Sequence, residues 1–378
     1  MIELAIAGDF SYSGVKETTQ NLDYQHSFGA IKPIIDECDY SIVNLESPVI
    51  FGNPTPINKL GPNLFSDRKA FDLIKYLGFK GVTLANNHFF DQGPQGINDT
   101  LSICAKNNIA YFGGGHNVQE ASETKYLEVN NKLIAIINCC EVEYSIANEK
   151  HGGSNPLNPI SQYYAITEAK YRADFVIVIT HGGIEHFQYP TLKMQETYHF
   201  FIDAGANAVV NHHQHCFSGY EYYKGAPIVY GLGNFFFPRE KYSDTFWNFG
   251  YIAKLTINED IQLEIYPYNQ CSGGVNIFPL NSTQYKEFNQ QLDKINSIIN
   301  NPESLIQVNS DFMRNGCDAY DWLFQPYDNR YLKVLASKGF LPKLFSQRRL
   351  DEIMSLINCQ SHFDRFNYYL KQKTTKST

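Results

Sequence analysis

Short apolar runs recur along the chain, and several break off at a chemically capable side chain. Residues 2–7 run into Gly8-Asp9, and Tyr40–Leu45 into Glu46. Val82–Ala85 runs into Asn86-Asn87-His88, Phe175–Thr180 into His181-Gly182-Gly183-Ile184-Glu185, and Ala206–Val210 into Asn211-His212-His213-Gln214-His215. Runs of this length bounded by Gly, Pro and Asn are the pattern of buried strands. Between them the spacing turns helical. Ser66-Asp67 opens a helix with Phe71, Ile74 and Leu77 on one face and Gly78 at its end. Asp91-Gln92-Gly93-Pro94 opens another, to about Ala105, with Pro94 in its first turn. Further helices are expected over Phe28–Glu37, Ser161–Arg172 and Met194–Ala204. Strands alternating with helices predict an α/β fold.

Hairpins are expected at Asn130-Asn131, joining Lys125–Val129 to Lys132–Asn138, and at Lys224-Gly225, joining Glu221–Tyr223 to Ile228–Tyr230. Tyr251–Ile257 and Gln262–Tyr266 alternate as antiparallel strands. Gly113-Gly114-Gly115 lacks the residues of a phosphate loop and reads as a tight turn, as does the glycine-bracketed Gly231–Phe235. Glu141–Pro159 reads as a surface loop. From Ser282 the pattern is helical: Tyr285–Ile299, a break at Asn301-Pro302, then segments near 328–337, 347–357 and 363–371. The expected division is a core over residues 1–280 and a helical C-terminal appendage over 281–378.

Composition narrows the function classes. At 43% hydrophobic and 19% charged, the 378 residues make an ordinary globular chain. A net charge of −8 argues against nucleic acid as partner, which calls for a basic face. Cys38, Cys104, Cys139, Cys140, Cys216, Cys271, Cys317 and Cys359 show no Cys-x-x-Cys spacing and read as buried free thiols of a reducing compartment. The N-terminus has no basic stretch, its apolar run is too short for a secretory signal, and no run is long enough to span a membrane. The expected location is the cytoplasm.

In α/β sheets the carboxyl ends of strands face the ligand crevice. Asp9, Glu46, Asn87, His88, His181, His213 and His215 therefore converge on one edge. Alternation along a strand sends His213 and His215 to one side and His212 and Gln214 to the other. Carboxylate, amide and imidazole donors suit one or two divalent ions, Mn, Fe or Zn. A carboxylate such as Asp9 can bridge two ions about 3.5–4 Å apart, which activate water and clamp the attacking and leaving oxygens. His88 is then placed to protonate the leaving group as general acid. Such a centre gives an acidic chain the cations to handle an anionic substrate.

Gly8-Asp9, Asn44-Leu45-Glu46, Asn86-Asn87-His88 with Asp91, His181-Gly182-Gly183-Ile184-Glu185, His213-Gln214-His215 and Tyr230–Phe235 occur in the order in which the sequence resembles the CapA family. That family comprises capsule and poly-γ-glutamate synthesis proteins related to calcineurin-like metallophosphoesterases. The resemblance implies a four-layer αββα metallophosphoesterase-like sandwich. It also implies Asp9, Glu46, Asn87, His181, His213 and His215 as metal ligands, with His88 and Glu185 close to the substrate; the candidate catalytic residues are His88, Glu185 and Asp91. The chain departs from the pattern at Asp9-Phe10-Ser11, which supplies no imidazole, so one metal position is left with Asp9, Glu46 and His215. Gly182, Asn211 and Gln214 stand where the family often has Trp, Gly and Pro. The expected function is a metal-dependent hydrolase, a phosphoesterase acting on a phosphorylated sugar, polyol or related precursor of capsule or another cell-envelope polymer. Two alternatives are hydrolysis or transfer at a γ-glutamyl amide, and a non-catalytic scaffold in a polymer-synthesis complex. The expected partners are an anionic small molecule or polymer precursor and, as open options, a second copy of the chain or a polymer-synthesis protein.

Overall fold

Strand β1 (Ile2–Phe10) runs through the middle of its sheet, and its two faces are both apolar. Leu4 and Ile6 point into one core, Ala5 and Ala7 into another, as the period of a strand requires. This computed structural model describes residues 1–374 apart from 14, 16–21, 240, 242–244, 317–326, 328, 343 and 345. After β1 come α1 (Tyr24–Phe28), α2 (Lys32–Asp36), β2 (Tyr40–Leu45), α3 (Lys69–Leu77), β3 (Gly81–Thr83), α4 (Gly93–Lys106) and β4 (Ala110–Phe112). The chain continues through β5 (Gly114–Gly115), α5 (Val118–Ala121), β6 (Lys125–Val129), β7 (Lys132–Cys140), β8 (Gly153–Ser154), α6 (Pro159–Arg172), β9 (Phe175–His181), α7 (Leu192–Ala204) and β10 (Ala208–His212). Strands β11 (Tyr220–Tyr223), β12 (Ala226–Val229), β13 (Asn234–Phe236), β14 (Phe249–Ile257), β15 (Ile261–Gln270) and β16 (Ile277–Pro279) complete the sheets.

Two sheets result. One has the order β16-β15-β14-β1-β2-β3-β4, with β13 also pairing parallel to β1; the other has the order β11-β12-β10-β9-β7-β6. β1 to β4 are parallel neighbours, as are β7, β9, β10 and β12. A first apolar cluster joins Leu4, Ile6 and Ile42 to Ile136, Val178 and Val209 of the second sheet, and continues to Ile166, Tyr198 and Phe201 of α6 and α7. A second joins Ala5, Val43 and Val82 to Phe28, Ile35, Phe71 and Ile97 of α1–α4. The layers are thus helix, sheet, sheet, helix. Caps fix the helix ends: Thr191 Oγ1 accepts from Met194 N at 3.1 Å, and Gly78 closes α3 at φ +90°.

Several elements differ in detail from the sequence reading. The helix expected over 28–37 is two short ones, and the third strand ends at Thr83, leaving Asn86–His88 in a turn. Gly113 alone makes the tight turn at φ +74°, where a Cβ would lie 2.1 Å from Asn138 Oδ1; Gly114–Gly115 pairs with β8 instead. Asn234–Phe236, expected within a turn, is a strand beside β1. Seven cysteines are free, with Cys359 only partly covered; Cys317 lies outside the described residues.

The chain divides into two units, Met1–Ile306 and Gln307–Thr378. In the first, α8 (Ser282–Ile299) lays Phe288, Leu292, Ile295 and Ile299 into the sheet core. The expected break at Asn301-Pro302 is the start of α9 (Pro302–Gly316). Asn301 Oδ1 accepts from Ser304 N at 2.9 Å, and Pro302 occupies a first-turn position that needs no N–H. The second unit contains α10 (Arg330–Ser337), α11 (Gln347–Asn358) and α12 (Gln360–Thr374), the last two side by side. Among the described residues no helix is long and apolar enough to cross a membrane.

Candidate metal centre

The carboxyl ends of β1, β2, β3, β9 and β10 deliver their side chains to one place. Gly8 makes this possible for β1, since a Cβ there would sit 1.9 Å from Gly233 O, while the next amide, Asp9 N, donates to that oxygen at 3.1 Å. Asp9 Oδ1 accepts from Asn44 Nδ2 at 2.8 Å, and Oδ2 accepts from His213 N at 3.2 Å. Glu46 follows β2, its N–H on Phe10 O at 2.9 Å. Asn86 pins the turn after β3, donating to Leu45 O at 2.9 Å and accepting from His88 N at 3.1 Å. His181 is the last residue of β9.

Strand β10 stops at His212, so simple alternation does not place the two histidines beyond it. His213 and His215 both take left-handed backbone, φ +90° and +54°, a conformation non-glycine residues rarely adopt. Both rings reach the centre through this turn, while His212 Nε2 lies 3.0 Å from Ala7 O across the two sheets. Asn211 braces the turn from below, accepting from Thr180 Oγ1 and Tyr198 Oη at 2.8 Å each and donating to Gly182 O at 2.9 Å and Tyr230 O at 3.0 Å.

The donors form two groups that share Asp9. In the first, one ligand atom each from Asp9, Glu46 and His215 lies within 4.8 Å of the others. His215 Nε2 is 3.3 Å from Glu46 Oε1, and His215 Nδ1 is 3.5 Å from Asp9 Oδ2 and 2.9 Å from Asn234 Oδ1. In the second, His181 Nε2 is 3.1 Å from both Asn87 Oδ1 and His213 Nδ1, and His181 Nδ1 is 4.0 Å from Asp9 Oδ1.

Charge in this dry site is finely opposed. Burial works to raise Asp9, but His215, His181 and His212 outweigh it and hold the carboxyl well below the usual range. Burial pushes Glu46 well above its ordinary value against the pull of His215. For His215 burial acts downward, yet Glu46 and Asp9 push it up to about 10. These last two shifts compete, because a proton on Glu46 removes one of the charges that raises His215; Asp9, with its N–H donors, is the secure anion. Burial, then the neighbouring imidazoles, hold His213 at about 4 and His181 well below the ordinary value. Both rings are therefore neutral near pH 7, the form that ligates.

A divalent ion fits these residues. Neither buried oxygen of Glu46 makes a hydrogen bond; its nearest cationic neighbour is His215, with Nε2 3.3 Å from Oε1, and a divalent ion in place of the His215 proton would satisfy the carboxylate. His181 Nε2, 3.1 Å from both His213 Nδ1 and Asn87 Oδ1, would join them as a second donor set in the tautomer that leaves Nε2 unprotonated. Asp9, Glu46 and His215 would hold one ion; Asn87, His181 and His213, with Asp9 between, a second.

A cleft of about 330 Å³ opens onto the centre, lined by Asn87, His88, Glu185 and His215 together with Lys59, Glu143, His186, Arg239 and Trp247. His88 Nδ1 lies 2.6 Å from Asp91 Oδ2, so Asp91 accepts a hydrogen bond from Nδ1–H and leaves Nε2 as the reactive nitrogen. Lys59 ion-pairs with the other oxygen of Asp91 and stands 3.3 Å from His88 Nδ1. Burial pulls His88 below its ordinary pKa, Asp91 pulls it up and Lys59 down. Glu185 lines the cleft rather than joining the buried donor groups. Lys59, Glu143, His186 and Arg239 sit in aperiodic loops and Trp247 in a single 3-10 turn, where no pattern in the sequence marks them. A larger cavity, about 540 Å³, lies at the opposite ends of β9, β10 and β12 among Lys170, Asp174, Asn207 and Lys224, and holds none of these donors.

Comparison with known proteins gives a family match over most of this region. The family model described as "Bacterial capsule synthesis protein PGA_cap" matches residues 3–239. "Capsule biosynthesis protein CapA" of Bacillus anthracis is 31% identical over 231 residues, 59% of this chain and 56% of that protein. "PGA biosynthesis protein CapA" of Bacillus subtilis (strain 168) is 31% identical over 226 residues, 59% of this chain and 60% of that protein. The match thus spans little more than half the length of these relatives. Among solved structures, a hypothetical protein from Thermus thermophilus superposes with a TM-score of 0.47 at 14% identity, over 71% of this chain and 99% of that one, a likeness too distant to carry function.

Proposed function

The chain belongs to the bacterial capsule synthesis family PGA_cap, and from that premise we propose that it is a metal-dependent hydrolase, a phosphoesterase acting on a phosphorylated sugar, polyol or related precursor of a capsule or cell-envelope polymer. The observation that carries the reading is Glu46, whose two buried oxygens make no hydrogen bond and sit against His215 and Asp9. Divalent ions held by Asp9, Glu46, His215, Asn87, His181 and His213 would supply Lewis-acid polarisation of the ester and acidify a water.

The protein's own groups supply the rest. His88 Nε2 faces the cleft and delivers a proton to the leaving oxygen, its ring fixed by Asp91. A neutral imidazole must first gain that proton, and an anion in the cleft favours the gain by stabilising the imidazolium. Lys59 and Arg239 bring positive charge to the cleft, and Trp247 and Phe237 form an apolar wall against which a sugar ring can rest. The B. subtilis relative is named a PGA biosynthesis protein, so γ-linked glutamate oligomers are the second substrate class to assay.

Elemental analysis after loading with Mn²⁺, Zn²⁺ or Fe²⁺, followed by a phosphate-ester screen, tests the proposal. Two ions per chain and turnover that His213→Ala abolishes together with one ion support it. Full turnover in His213→Ala, or no ion in the loaded wild type, refutes it.

A further inference from the structure

Lys59 is buried where a loop would ordinarily leave a lysine in water. Its side chain is 4% exposed, and that of its partner Asp91 is fully buried. The segment that carries it, residues 52–63, is rich in Gly, Pro and Asn and holds no helix or strand. It is nonetheless tied down on both sides of Lys59. Thr55 N donates to Gln92 Oε1 at 2.8 Å, Ile57 N to Asp91 O at 3.0 Å, and Gln92 Nε2 to Leu64 O at 3.1 Å. The ammonium thereby meets Asp91 Oδ1, while Asp91 Oδ2 accepts from Leu64 N and from His88 Nδ1–H, each at 2.6 Å. Both carboxylate oxygens are committed, so the group is held from turning away from the ring. A buried ion pair returns little net stability against the desolvation of its two charges. Stability therefore does not account for placing one beside the histidine of the cleft.

We propose that Lys59 is a positioning residue for the proton donor: by holding Asp91 Oδ1 it keeps Oδ2 on the Nδ1–H of His88, and with it Nε2 toward the leaving oxygen. The inference rests on the hydrolase reading above. A cation that bound the substrate would act on KM with every ester alike. A residue acting through His88 acts on kcat, and only where the leaving oxygen needs a proton, as that of glycerol phosphate does and p-nitrophenolate does not.

The test uses the full chain loaded with Mn²⁺ and steady-state kinetics on those two esters, with the downfield proton NMR resonance of His88 Nδ1–H, identified by its absence in His88→Ala, read in parallel on the metal-free protein. Lys59→Met should lower kcat on glycerol phosphate by about 10–100-fold, a part of the roughly 10²–10⁴-fold that general acid catalysis contributes. Its KM, and its kcat on p-nitrophenyl phosphate, should stay within about threefold of wild type. The resonance should be lost. Adding Lys59→Met to His88→Ala should cost nothing further. Lys59→Arg, which keeps a cation on Asp91 and with it the fold, should retain both the rate and the resonance. Equal losses on the two esters, or a raised KM with kcat kept, overturn the proposal and make Lys59 a substrate-binding cation. Additive losses in the double variant, a resonance that persists in Lys59→Met, or a Lys59→Arg that loses rate and resonance also overturn it. Wild-type protein that turns over no phosphate ester refutes the hydrolase reading, and the resonance then tests the Lys59 contact by itself; wild-type turnover of both esters beside an indifferent Lys59→Met refutes this inference alone.

Discussion

Replacing Glu46 by Gln should make the metal-free protein more stable and the metal-loaded protein less so. The carboxyl is fully buried and neither oxygen makes a hydrogen bond. A buried polar group left unsatisfied costs about 1–3 kcal/mol. Gln removes the charge but leaves an amide, so the gain without metal should be about 1 kcal/mol, at the lower end of that range. For a unit of this size that is about 2 °C in melting temperature. Loading acts in the opposite sense. An ion at about 100 times its dissociation constant stabilises the wild type by about 2.7 kcal/mol, or about 5 °C, and Glu46→Gln should lose most of that shift.

The pH dependence carries the same signature. Glu46 has a folded pKa above its ordinary 4.5, so between those values the native state binds the extra proton and metal-free stability falls as pH rises. Glu46→Gln should remove this slope. The assay is thermal melting with and without Mn²⁺ across that range, with ions per chain counted in parallel. A variant that melts lower than wild type without metal, or that keeps the full metal shift, refutes the reasoning: Glu46 would then be a structural partner of His215 and no ligand.

Three further outcomes follow from the same geometry. His215→Ala and His213→Ala should each leave one ion per chain, since the two rings belong to different donor groups; loss of both ions in either variant would mean that the groups are not separable. Lys59→Met strands the buried Asp91 carboxylate, whose other contacts are His88 and Leu64 N, and should cost about 3 kcal/mol in urea unfolding, with a loss below about 0.5 kcal/mol counting against the ion pair. His213, at about 4, and His181 have folded pKa values below the ordinary 6.5. The stability they contribute is full above pH 6.5 and lost as pH falls through about 4; because Glu46 slopes the opposite way over part of that window, the measurement is made on metal-free Glu46→Gln, and a flat curve there refutes it.

The ends of the parallel strands were legible because each apolar run stops at a polar residue, and the structure brings Asp9, Glu46, Asn87, His88, His181, His213 and His215 to one edge. What periodicity could not show is how His213 and His215 arrive there. A strand register places both on one face, whereas two left-handed residues in a turn do so here, and backbone handedness at a histidine leaves no mark in the sequence. Pro302 was read as a breaker; the same residue at a first-turn position begins α9, and only the neighbouring cap distinguishes the two. Lys59 was invisible for another reason. It meets Asp91 across the intervening α3 and β3, and such a contact depends on tertiary closure that no local pattern encodes.

The donors come from positions as far apart as Asp9 and His215, and from both sheets. The centre is therefore assembled only when the sandwich has closed, after the long-range pairings that make such topologies slow to fold. In the unfolded polypeptide the donors nearest one another in sequence are His213 and His215. An ion met early would be captured by that short segment and would stabilise the wrong ensemble. Metal binding as proposed would thus follow an order of events, closure first and ion second.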